Sequence, residues 1–236
     1  MLGYYNYTVV LTYMSLVSAG TGILVSLSGK GHPYLGVFFL LICGLCDAFD
    51  GKVARTKKNR TREEISFGIQ IDSLSDIVAF GVLPACIGIA MMRVFPLLNN
   101  VKDKYLDEPT SIIYIGVLGA ILIWYILSTL IRLAYFNVTE EERQKHEDTV
   151  RKYYTGLPVT SAALVFPSVM LLQYILQITC EIDITPLYFA TSLFMSFAFL
   201  SKIHVHKPGL RGILIMIGIG AVEFALIIVC MMISRL

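Results

Sequence analysis

Apolar residues along this chain come in long runs, and seven of the runs approach the roughly 20 residues that a helix needs to cross a bilayer. They lie at about 7–27, 34–51, 73–95, 111–137, 157–179, 184–201 and 211–233. Each is rich in Leu, Ile, Val, Phe and Met, and none shows the period-two alternation of a membrane strand. The pattern predicts an all-α polytopic transmembrane helix bundle. No internal repeat, low-complexity tract or separate soluble unit interrupts it, so residues 1–236 are read as a single domain.

Composition agrees with lipid as the main solvent. Hydrophobic residues make up 56% of the chain and charged ones 15%, against roughly 25% charged in soluble domains; the mean hydropathy is +0.71. A net charge of +2 is too small for a nucleic-acid binder. The cysteines (Cys43, Cys46, Cys86, Cys180 and Cys230) sit mostly inside apolar runs, a poor pattern for a disulfide framework. Cys43-Gly-Leu-Cys46 has the spacing of a metal or redox motif, but within an apolar helix its cysteines read as small buried hydrophobes. The N-terminus lacks the basic n-region of a cleavable signal, and its first apolar run is long enough to span.

The distribution of charge gives an orientation. Basic residues crowd the 52–71 connection (Lys52, Arg55, Lys57, Lys58, Arg60, Arg62), the 138–156 connection (Arg143, Lys145, Arg151, Lys152) and the 202–211 connection (Lys202, Lys207, Arg211). The alternate connections hold only Lys30, then Lys102 and Lys104, then none. The positive-inside rule places the three basic connections and the N-terminus in the cytoplasm, with the chain a multi-pass protein of the cell membrane. Seven spans then leave the C-terminus outside.

Ionisable groups inside membrane segments are costly and mark function. Span two ends in Asp47-Ala-Phe-Asp50-Gly51-Lys52-Val-Ala54-Arg55, and span three opens with Gly68-Ile-Gln-Ile-Asp72-Ser-Leu-Ser-Asp76. At 3.6 residues per turn, Asp47, Asp50, Gly51 and Ala54 share one face, as do Asp72 and Asp76 on the next helix. The connection between them is short enough to make the two helices antiparallel neighbours, so four carboxylates converge at the cytoplasmic mouth. Carboxylates so placed repel one another, and hard divalent cations such as Mg²⁺ relieve this. Two such ions form the arrangement that stabilises attacking and leaving oxygens in phosphoryl-type displacement. Gly51 and Ala54 allow close backbone approach by a phosphate or nucleotide, with Lys52 and Arg55 supplying positive charge beside it.

Asp-x2-Asp-Gly-x2-Ala-Arg, twelve residues, then Gly-x3-Asp-x3-Asp resembles the signature of the CDP-alcohol phosphotransferases at every position: Asp47, Asp50, Gly51, Ala54, Arg55, Gly68, Asp72 and Asp76. The resemblance implies a six-helix core, here with one further span, and two divalent cations, Mg²⁺ or Mn²⁺, held by Asp47, Asp50 and Asp72. Asp76 matches the proposed general base, with a further metal contact. Gly51, Lys52, Ala54, Arg55 and Gly68 form the implied CDP-binding set, and a homodimer is the implied assembly.

The stretch Phe67–Ala85, together with Arg132-Leu-Ala-Tyr-Phe-Asn137 and Thr155-Gly-Leu-Pro158, is similar to the bacterial and archaeal membrane-embedded phosphatidylserine synthases, over about residues 5–165. That likeness implies CDP-diacylglycerol as donor and L-serine as acceptor, giving phosphatidylserine and CMP. Tyr135 departs from it by replacing a second arginine. Arg132, a planar fork suited to a carboxylate, is the candidate for the serine carboxylate, with Asn137 assisting. Glycerol-3-phosphate or inositol with the same chemistry, and an ion-coupled transporter, are the alternatives. Transport is disfavoured because the acids sit at a helix mouth and no repeat is visible. Glu223 in the last span is expected to find a partner across the bundle. His204 and His206, with Lys202, Lys207 and Arg211, read as a basic patch at the membrane surface.

Overall fold

A computed structural model describes residues 3–29, 31–94, 108–146, 153–206 and 209–233. Lys30, Lys102, Lys104, Arg151, Lys152 and Lys207 lie outside the described residues, as do the side chains of Lys145 and Cys230. The order is α1 (Val10–Leu27), α2 (Pro33–Ala54), α3 (Arg62–Asp76), a π-helical segment (Ile77–Val82), α4 (Leu83–Val94), α5 (Glu108–His146), β1 (Tyr153–Thr155), α6 (Ala162–Cys180), α7 (Thr185–Leu200), β2 (His204–His206) and α8 (Leu210–Ile233). Short 3₁₀ turns, Tyr7–Val9 and Val159–Ser161, precede α1 and α6.

Every predicted span falls on helix, and the chain is an all-α membrane bundle. Among the described residues, five helical stretches are long and apolar enough to cross a membrane: Tyr7–Leu27, Pro33–Ala54, Arg62–Val94, Ile113–Arg143 and Val159–Cys180. Thr185–Leu200 and Leu214–Val229 are shorter apolar helices.

The structure departs from the hydropathy reading at three places. The third helix starts at Arg62, well before the apolar run at 73, because Thr61 and Glu64 close a capping box: Glu64 N donates to Thr61 Oγ1 at 3.1 Å and Thr61 N to Glu64 Oε2 at 3.2 Å. Polar first turns escape a hydropathy window although they are helical. α5 likewise continues past 137 to His146, its polar end carrying the Arg143–Glu140 ion pair at 2.7 Å. Finally, β1 and β2 pair antiparallel, Tyr154 opposite Val205, in a three-residue ribbon too short for any periodicity to reveal.

Helices in lipid gain little from hydrophobicity alone and rely on close packing through small residues. α2 meets α6 in this way: a Cβ at Gly44 would lie 2.5 Å from the Cβ of Ala163. Gly156 follows β1 at φ +80°, and a Cβ there would meet the carbonyl oxygen of Phe199 at 2.7 Å, so only glycine fits this crossing. The centre is aromatic. Tyr125 packs edge-on to Phe166, with centroids 5.5 Å apart, and Phe166 lies 4.8 Å from Tyr188, uniting α5, α6 and α7. Cys43 and Cys46 are buried and free, as expected of small hydrophobes, and the Cys43 thiol donates to the Ser15 carbonyl at 3.3 Å.

Candidate active site

The C-terminal turns of α2 and the C-terminal turn of α3, within the longer helical stretch Arg62–Val94, face each other across the connection that Thr61 closes. One carboxylate oxygen each from Asp47, Asp50 and Asp72 lie within 4.8 Å of one another, all three residues partly buried. Asp50 accepts a hydrogen bond from the backbone N–H of Gly51. Asp76, one turn beyond Asp72, is 8% exposed and sits deeper, within electrostatic reach of the other three acids but outside their cluster. The neighbouring Ser75 hydroxyl donates to the Thr12 carbonyl at 3.2 Å, which ties this turn to α1.

Among the described residues no Lys or Arg forms an ion pair with any of the four aspartates; the ion pairs found join Lys57 to Glu64 and Arg143 to Glu140. Three carboxylates in such proximity, without a cationic side chain, are the donor set that a hard divalent ion fits.

The small signature positions are flanked by guanidinium groups. A Cβ at Gly51 would lie 3.7 and 3.8 Å from the two Nη atoms of Arg55, and one at Gly68 would lie 3.0 Å from Arg60 Nη2. Arg60 also donates from Nη1 to the Ala54 carbonyl at 3.3 Å, while its Nε is buried without a hydrogen-bond partner. The sequence shows Arg60 only as one of several loop cations; the fold alone brings it to Ala54 and Gly68. Lys52 extends over the Phe49 ring, its Nζ 5.4 Å from the centroid.

Of the residues expected to bind the acceptor, Asn137 lies close by. Asn137 on α5 donates from Nδ2 to Ser73 Oγ at 2.7 Å, beside Asp72. Arg132 is buried (5% exposed) and donates from Nε to the Leu157 carbonyl at 3.2 Å and from Nη2 to the Gly156 carbonyl at 3.4 Å. It ties α5 to the turn after β1, and a serine carboxylate would share the guanidinium with these carbonyls. Tyr135 is exposed.

A mostly apolar cavity of about 430 Å³ runs between α2, α6 and α8, lined among others by Leu41, Gly44, Leu164, Gly220 and Phe224, with Asp47 in its wall. Glu223 on α8 is buried beside it and accepts a hydrogen bond from the Ser168 hydroxyl of α6, the cross-bundle partner expected for it.

The profile of the family described as CDP-alcohol phosphatidyltransferase matches residues 5–199, which include α1 to α7 and the whole acid cluster. The chain is 35% identical over 145 residues to the CDP-diacylglycerol–serine O-phosphatidyltransferase of Saccharomyces cerevisiae, covering 59% of this chain and 43% of that protein. It is 30% identical over 156 residues to the archaetidylserine synthase of Methanothermobacter thermautotrophicus, covering 66% of this chain and 54% of the relative. A CDP-diacylglycerol–serine O-phosphatidyltransferase of Mycobacterium leprae is 27% identical over 154 residues, covering 65% of this chain and 43% of the relative. The chain thus spans about half the length of the curated relatives it matches. No solved structure matches the chain. With the signature acids gathered on α2 and α3 and the family profile covering nearly all of the bundle, this chain belongs to the CDP-alcohol phosphatidyltransferase family.

Proposed function

We propose that the chain transfers the phosphatidyl group of CDP-diacylglycerol to the hydroxyl of L-serine, releasing CMP. The observation that carries this reading is the convergence of Asp47, Asp50 and Asp72 from two helices, with buried Asp76 one turn away. Serine, in preference to glycerol-3-phosphate or inositol, is supported by the names of the relatives in yeast and mycobacteria.

In this reading Asp47, Asp50 and Asp72, with Asp76 at the edge, hold two divalent cations, Mg²⁺ or Mn²⁺, which when bound stabilise charge on the attacking and leaving oxygens. Asp76 takes the proton of the serine hydroxyl. The serine oxygen attacks the phosphorus that bears diacylglycerol, and the bond from that phosphorus to the bridging oxygen breaks. CMP departs with both electrons of that bond. Gly51, Ala54 and Gly68 leave room for the nucleotide against the backbone, and Arg55 and Lys52 provide positive charge toward the leaving phosphate. Arg132 and Asn137 orient the acceptor from α5. The cavity between α2, α6 and α8, apolar with Asp47 in its wall, suits an acyl chain of the donor.

The same reading places the site on the cytoplasmic side of a cell membrane. The β1–β2 ribbon joins the second and third basic connections, and Tyr154 of β1 lines one cavity with Asp47 near the first. All three therefore meet at one end of the bundle, as the positive-inside rule requires of a single face. One domain over residues 1–236, working as a homodimer, completes the proposal.

The decisive experiment supplies radiolabelled CDP-diacylglycerol to purified protein with serine, inositol or glycerol-3-phosphate in turn. Labelled phosphatidylserine is the expected product. Product with only another acceptor refutes serine while retaining the chemistry, and no lipid product with any of the three refutes the transfer reading.

A further inference from the structure

The connection between α2 and α3 is more ordered in its bonding than a string of cations would suggest. Lys57 Nζ pairs with Glu64 Oε1 at 2.8 Å, Glu64 closes the capping box on Thr61, and Asn6 Nδ2 adds a bond to Glu64 Oε1 at 3.3 Å. Arg60 is held within this frame. Its Nη1 reaches back to the carbonyl of Ala54, one turn after Asp50, and its Nη2 lies over Gly68, one turn before Asp72. The guanidinium therefore bridges the two helices just outside the gap in which the carboxylates meet.

Two features distinguish it from an ordinary tie. Its Nε is buried yet donates to nothing, and Arg60 makes no ion pair among the described residues. Buried donors are rarely left unpaired in proteins, and a guanidinium presents its N–H groups in a fixed fork that suits phosphate oxygens. The second feature is the counterpart over Gly51, where the Arg55 guanidinium sits 3.7 Å from the position of a Cβ. One arginine thus stands over each of the two glycines that flank the acid cluster.

We infer that Arg60 is a ligand for the pyrophosphate of a nucleotide donor, acting with Arg55 as a pair of guanidinium groups that receive the anion over Gly68 and Gly51. The inference rests on the CDP-donor reading and adds to it a residue of the connection that belongs to no signature position. Small residues at Gly51, Ala54 and Gly68 then do more than clear space for the nucleotide: they let these cations lie against the helix backbones.

Purified full-length Arg60→Gln and Arg60→Lys proteins test this through three readouts: binding of CDP alone by calorimetry, the KM for CDP-diacylglycerol, and the thermal unfolding midpoint in detergent. Arg60→Gln is expected to weaken CDP binding and raise the donor KM by roughly 10–100-fold, the worth of a charged hydrogen bond. Arg60→Lys, which keeps the charge but loses the fork, falls between, and the KM for serine stays unchanged in both. Wild-type CDP affinity in both variants, with only a lowered midpoint, would overturn the inference and reduce Arg60 to a tie between Ala54 and Gly68. Loss of CDP binding on Arg60→Gln, where the wild-type protein binds CDP yet forms no phosphatidylserine, would uphold the inference and refute the serine transfer reading.

Discussion

The hydroxyl of Tyr125 donates to the carbonyl oxygen of Phe80 at 2.7 Å. That carbonyl lies four residues before Pro84, which has no N–H to give it, so a wholly buried phenol from α5 supplies the missing bond. Tyr188 of α7 donates to the Pro84 carbonyl at 2.6 Å, in the first turn of α4. Tyr125 thus ties down the π-helical stretch that follows Asp76 directly, and Tyr188 the helix beyond it. Tyr125→Phe leaves a buried acceptor unpaired and is expected to cost about 1–3 kcal/mol, seen as a lower unfolding midpoint in detergent. A midpoint equal to wild type would show that the bond has no structural weight.

Removal of divalent cations should abolish activity. The carboxylates of Asp47, Asp50 and Asp72 are gathered within 4.8 Å with no basic partner among the described residues, so a chelator should stop the reaction and added Mg²⁺ or Mn²⁺ should restore it. Asp47→Asn, Asp50→Asn and Asp72→Asn should each raise the metal concentration needed for half-maximal rate. Undiminished turnover in exhaustive EDTA is the result that defeats a metal-assisted mechanism.

Asp76 sits outside the cluster of three and is the more buried, the placement that the proposed mechanism expects of its base. Asp76→Asn should leave CDP and metal binding near wild type while lowering kcat by roughly 10²–10⁴-fold, the usual effect of removing a positioned base. Rescue of the rate by excess Mg²⁺ would instead make Asp76 chiefly a metal ligand.

Orientation is open to thiol chemistry in intact cells. Cys43, Cys46 and Cys86 are buried, whereas Cys180, at the connection between α6 and α7, is exposed. With Cys230 replaced by Ser, an impermeant maleimide should label Cys180 from outside. In a Cys180→Ser background, Lys58→Cys should be labelled only after the membrane is opened. Labelling of the Lys58→Cys site from outside would reverse the topology.

The helical positions and the acids were legible because each rests on local rules. Long apolar runs dictate spans, and the spacing of Asp47 to Asp50 and of Asp72 to Asp76 dictates shared faces whatever the tertiary packing. The start of α3 was legible too, though by another rule: Thr61-Arg-Glu-Glu64 is a capping-box pattern that a search for apolar residues passes over. Arg60 was not legible, since nothing in the sequence sets it apart from Lys57, Lys58 and Arg62 until the helices that flank it are placed. The β1–β2 ribbon was equally hidden, because three-residue strands paired across two helices carry no pattern of their own. The bonds of Arg132 to Gly156 and Leu157 depend on that same long-range crossing.

The ribbon has a consequence for how the protein is assembled. β1 precedes α6 and β2 follows α7, so the strands are the two ends of one helical hairpin, and Gly156 N adds a bond to the Ile203 carbonyl at 2.7 Å beside them. Pairing must wait until both helices have been made and the chain has run back along α7 to the end at which α6 began. Once closed, residues 153–206 form a latched loop whose two helices are fastened at one end by backbone hydrogen bonds. The latch thus marks the completion of that hairpin, and it brings Tyr154 to the wall it shares with Asp47 together with the turn held by Arg132.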